Sequence, residues 1–147
     1  MHSFRRHALV TFVSTLMAGA AAATPPPDVT GLGQAWPNTP DVSVNPGFHA
    51  YRFDKQGVRY VQINDGNGTV RGAVAYIGGQ TLALPVGVDA NRWQVSETPA
   101  SGAAGVTVYD DDGMTIQAAP QPDGTMKMTL SPSECQLHPE NCSNKGP

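Results

Sequence analysis

The stretch FHAYRFDKQGVRYVQINDGNGTVRGAVAYI, residues 48–77, decides how this chain folds. It contains three runs rich in β-branched and aromatic residues, 48–53, 58–64 and 69–77, separated by Asp54-Lys55-Gln56-Gly57 and Asp65-Gly66-Asn67-Gly68. Such residues favour pleated, half-buried backbone. Glycine supplies the positive φ of a tight turn, while Asp and Asn bond their own backbone and tolerate the left-handed region. Two antiparallel hairpins are therefore predicted. Counting outward from Phe53 opposite Val58 sets Tyr51 against Tyr60, His49 against Gln62, and Arg52 against Arg59. Counting across the second turn sets Ile63 against Val70. Both faces of this sheet are partly apolar, which predicts one covered side and one only partly open.

The same punctuation continues downstream. Runs at 81–86 (interrupted by Pro85), 92–96, 106–109, 114–118 and 125–131 are separated by turns that include Asp110-Asp111-Asp112-Gly113 and Gln121-Pro122-Asp123-Gly124. Turn signals spaced about every 8–12 residues indicate an all-β domain. The expected fold over 48–131 is a small antiparallel meander of hairpins forming a sandwich or barrel-like sheet. An irregular tail, 132–147, follows it.

Upstream lies a different composition. Residues 24–47 hold six prolines and three glycines, which suits an extended linker rather than a central strand or helix. Trp36 stands out there, as a ring that either packs back onto the domain or faces a partner. Residues 1–23 carry Arg5 and Arg6, then an apolar run ending Ala20-Ala21-Ala22-Ala23. This order of features predicts a cleavable signal peptide, cut after Ala23 or Ala20. At about 16 residues, many of them Ala, Gly, Ser or Thr, the run is short for a membrane span.

Seven of the nine basic residues and all twelve acids lie beyond residue 23, giving that part a formal charge of −5. An acidic surface without clustered Lys and Arg argues against nucleic acid. Past the leader no apolar run is long enough to span a membrane. The two cysteines, Cys135 and Cys142, are expected to form a disulfide in an oxidising compartment, periplasmic or extracellular. A metal site of Cys135, His138 and Cys142 would lack a clear fourth ligand, and no other metal or cofactor motif is expected.

Catalytic motifs are equally sparse. His49 sits in a predicted strand, and no Gly-x-Ser-x-Gly elbow accompanies it. Asp110, Asp111 and Asp112 are contiguous in a turn, whereas catalytic carboxylates face each other from different elements. Asp65-Gly66-Asn67-Gly68-Thr69 begins like a calcium loop but has Val70 and Tyr76 where Gly and Glu are required. Asn67-Gly68-Thr69 and Asn141-Cys142-Ser143 match the glycosylation triplet. Like charges directly opposite destabilise a hairpin, so Arg52 and Arg59, with neighbouring Tyr60, become the binding candidates for an anionic group. The plainer account is that Asp54 screens the two arginines.

Gln56-Gly57-Val58-Arg59-Tyr60 resembles the Ser-Gly-x-Arg-Tyr stretch of periplasmic c-type lysozyme inhibitors, which are small exported β-barrels. The resemblance covers five residues, with Gln56 in place of the serine, and assigns no residue a role. Together these features predict an exported β-domain that acts by binding a protein partner, as an inhibitor, immunity factor or envelope accessory. The alternative is a small secreted hydrolase or carbohydrate-active enzyme using acids such as Asp89, Glu97 and Asp123.

Overall fold

A computed structural model describes residues 31–99 and 105–142. The leader 1–23, the first part of the linker, and the triplet at Asn141 that runs into residue 143 fall at least partly outside the described residues. Eight strands form two four-stranded sheets. The first takes β1 (Phe48–Lys55), β2 (Val58–Asp65), β3 (Val70–Ile77) and β4 (Gln80–Leu84) in sequential antiparallel order. The second takes β5 (Trp93–Val95), β6 (Val106–Asp110), β7 (Met114–Pro120) and β8 (Met126–Pro132) in the order β5-β8-β7-β6. The sheets do not close into a barrel. The short helix α1 (Glu134–Leu137), a 3-10 turn and the Cys135–Cys142 disulfide follow β8. No helix among the described residues is long and apolar enough to cross a membrane.

The strands form where turn chemistry alternates with branched residues, and the all-β expectation holds. One pairing departs from a pure meander: β5 joins the edge of β8 in parallel, Trp93 beside Met128 and Val95 beside Leu130. The chain crosses from one sheet to the other between β4 and β5, so it enters the second sheet running the same way as β8.

Period-two alternation gives each sheet an apolar inner face. Phe48, Ala50, Val61, Ile63 and Val74 of the first sheet share one buried cluster with Met114, Ile116, Ala118, Met126, Met128 and Leu130 of the second. Val108 and Tyr109 both join it because a bulge in β6 turns two consecutive residues inward. Residues 41–44 then close one side of the sandwich. Val42 N donates to Ala50 O on β1 (2.8 Å), and Val44 N donates to Val108 O on β6 (3.1 Å).

The first hairpin corrects the register counted from sequence. Gln56 and Gly57 both have positive φ, 53° and 80°, so the turn needs only two residues. Asp54 and Lys55 therefore continue β1. Lys55 pairs with Val58, Phe53 with Tyr60, Tyr51 with Gln62 and Arg52 with Val61. The slip is two residues, so every side chain keeps its expected face while its partner changes. Arg59 faces Asp54, not Arg52, which removes the like-charge argument. In the second hairpin Arg71 is an extra, bulged residue, and Ile63 faces Gly72 rather than Val70.

Arg59 extends from β2 to the second sheet. Its Nη1 lies 2.5 Å from Asp111 Oδ2, and its guanidinium lies over the Tyr76 ring at 5.7 Å. The same carboxylate accepts from the Tyr109 hydroxyl (2.6 Å) and, through Oδ1, from Gly113 N and Met114 N (2.8 and 2.9 Å). Burial works against the charge on Asp111, but these donors and Arg59 together hold its carboxyl below the ordinary value of 3.8. Burial and the same bond push the Tyr109 hydroxyl up.

Removing this acceptor strands several donors at once. Asp111→Ala is expected to cost about 2–4 kcal/mol, whereas Asp112→Ala, in the same turn but exposed, should change stability by roughly 0.5 kcal/mol or less. Because the folded pKa of Asp111 is depressed, its contribution is complete above 3.8 and is lost as pH falls through the folded value. Urea unfolding of wild type and Asp111→Asn should therefore differ at neutral pH, and the gap should narrow as pH falls below 3.8. A gap that stays constant with pH would contradict the assignment.

Candidate functional site

Strand β2 turns Gln62 and Asn64 toward the outer face of the first sheet, where alternation predicts solvent. Both are completely buried. A buried amide must find partners or cost on the order of 1–3 kcal/mol, and these find theirs in the chain that precedes the domain. Gln62 Oε1 accepts from Gly33 N (2.5 Å), and its Nε2 donates to Gln34 O and to Asn64 Oδ1 (2.8 Å each). Asn64 Nδ2 donates to Ala35 O (2.7 Å). The backbone of three consecutive residues is thus pinned immediately before Trp36. The residue after it, Pro37, is buried.

Between those anchors Trp36 is 60% exposed. It is nevertheless held in place. The indole passes so close to Gly68, in the β2–β3 turn, that a Cβ there would lie 2.7 Å from its ring carbons. Gly68 also has φ +83°. Edge-on to the indole stands His49, with centroids 5.2 Å apart and planes at 68°. Behind it, Tyr51 stacks on His49 at 6.2 Å and is itself only 5% exposed.

Asp41 orients the histidine, its Oδ2 lying 2.7 Å from His49 Nδ1. Its Oδ1 accepts from Ser43 N and Ala50 N (2.9 Å each). Partial burial opposes the Asp41 charge, and the bonds from His49 and these amides prevail to lower its pKa. The His49 Nε2 lies on the side of the ring away from Asp41. Trp36, His49 and Asp41 therefore form a rigid aromatic surface beside a polar edge.

The residues singled out in the sequence do not make one site. Arg52 and Arg59 come together around Asp54, with Arg52 Nε 2.7 Å from Oδ2 and Arg59 Nε 3.8 Å from Oδ1. Arg59 is further committed to Asp111. Tyr60 lies on the opposite face of β2, in an open hollow of about 350 Å³ with Leu32, Lys55, Gln56 and Val58. The acids of the enzyme alternative have separate partners. Asp89 is 1% exposed and receives Arg71 Nη1 at 3.1 Å. Asp123 bonds Thr125 and Arg92, and Glu97 is exposed. Asp65 serves its own turn, accepting from Asn67 N, Thr69 N and Arg71. Cys135 and Cys142 are disulfide-bonded, as expected.

Trp36 was visible in the sequence as an isolated aromatic in a proline-rich run, and the two readings of it turn out to be compatible. The ring packs against the domain and still faces outward. What the sequence did not reveal was the role of Gln62 and Asn64, whose alternation looks like an ordinary polar sheet face.

Contact between the ring and Gly68 can be tested by a double-mutant cycle. Gly68→Ala carries both left-handed strain, about 1 kcal/mol, and a collision with the indole. Chemical denaturation should show a cost of roughly 2–3 kcal/mol in wild type, falling toward the strain component alone in a Trp36→Ala background. Equal costs in the two backgrounds would mean that the ring does not lie there.

No protein-family model matches the sequence, and neither a characterised protein nor a solved structure matches it.

Proposed function

We propose that this is an exported, non-catalytic binding protein whose recognition anchor is the Trp36 ring. The observation that carries the proposal is the combination of exposure and close packing at that residue. An aromatic side chain that loses little freedom on binding is an effective anchor. Here two fully buried amides, Gln62 and Asn64, hold the adjacent backbone, and Gly68 makes room for the ring. Export is supported by the leader-like residues 1–23 and by the disulfide, which belongs to an oxidising compartment. The enzyme alternative has less support, because Asp89 and Asp123 each accept from structural donors and Glu97 is exposed.

Expression of the full-length chain in a secreting host should yield exported protein whose intact mass begins at Thr24, or at Ala21 if cleavage follows Ala20. Immobilised on a resin, that protein is expected to retain a component of envelope or culture-medium extract that Trp36→Ala and Gly68→Ala both release. Tyr60→Ala should retain it. Identical retained material for wild type and Trp36→Ala would remove Trp36 as the anchor.

A further inference from the structure

The rigid tryptophan surface also carries information about ligand chemistry. We infer that Trp36, with His49 and Asp41 at its edge, is a binding site for the ring face of a neutral pyranose in a glycan; this rests on the binding reading above and names its ligand.

The indole face is electron-rich and attracts weakly positive C–H groups. A pyranose presents such C–H groups on its flat face and hydroxyls around its rim. The site has the matching arrangement. Its aromatic surface is the ring of Trp36, a residue 60% exposed, packed against Gly68. Beside it are a histidine with one nitrogen turned away from its acid partner and a carboxylate whose side chain is 37% exposed. These groups can donate to and accept from hydroxyls.

The competing ligand chemistries fit less well. An anion needs Lys or Arg, and the contacts shown at the ring and at His49 among the described residues involve Gly68, His49, Tyr51 and Asp41. The charge of −5 beyond the leader also opposes it. A quaternary ammonium is held by a cage of several open aromatic faces; the next ring, Tyr51, is 5% exposed and stacked behind His49. Proline-rich peptide sits in a groove between aromatic ridges, and one ring does not form such a groove. A flat, neutral, hydroxylated ring remains as the best match.

The chain has two tryptophans, so its amide NMR spectrum has two indole N–H signals, and the Trp36 signal is the one missing from Trp36→Phe. Protein purified after full-length expression is titrated with chitohexaose, cellohexaose and maltohexaose, and separately with tetramethylammonium and decaproline. At least one oligosaccharide is expected to shift the Trp36 indole saturably while Trp93 moves less. Trp36→Ala should weaken that binding by about tenfold or more, and Asp41→Asn by a smaller factor. The wild-type indole shift is a direct readout, so it does not depend on a variant folding. No response to any of the three sugars overturns the inference, as does response only to tetramethylammonium or decaproline. Undiminished sugar binding by Trp36→Ala overturns it too. If Trp36-dependent retention from extract persists without sugar binding, only the ligand class fails and the binding reading stands.

Discussion

The two-residue turn at Gln56-Gly57 sets the geometry on which the rest of the first sheet depends. Positive φ at both positions closes β1 onto β2 at Lys55 and Val58. That register brings Asp54 opposite Arg59, leaving the guanidinium free to reach across the sandwich to Asp111. The same alternation places Val61 and Ile63 in the core and Gln62 and Asn64 on the other face. A one-residue slip would exchange these sets and bury two amides between the sheets with no backbone to receive them.

From that register follows the unusual treatment of the outer face. Sheets that face water usually carry polar side chains there without further consequence. In this protein the chain upstream of β1 folds back across the face, and the two amides take its backbone groups as partners. Farther along, the strap at 41–44 ties β1 to β6 and supplies Asp41 to His49. A single segment thus covers polar atoms, guards two strand edges and sets Trp36 against Gly68. Placing that ring costs conformational entropy during folding, so less would remain to be lost on the binding proposed for it.

The charged residues show how structure and function divide. Arg59, Arg71 and Arg92 are each paired with aspartates, and Arg52 with Asp54. Asp111 and Asp65 act as turn acceptors before anything else. A chain with few charges has spent most of its buried ones on fastening turns and sheets.

Much of the fold was legible because it depends on local chemistry. Branched residues alternating between Asp-, Asn- and Gly-rich turns dictate strands wherever they occur, so the eight runs and their antiparallel hairpins follow from residues near in sequence. The cysteine pair was legible for the same reason, its partners being separated by seven positions. The site was not, because its components are distant in sequence. Trp36 meets Gly68 and His49, and its backbone is held by Gln62 and Asn64. Nothing local distinguishes a glycine required for a turn from one that also admits an indole, or a solvated amide from one covered by a returning chain. Local backbone preference determined the strands; long-range hydrogen bonding and close packing, which exist only once the chain has folded back, decided which residues gather around Trp36.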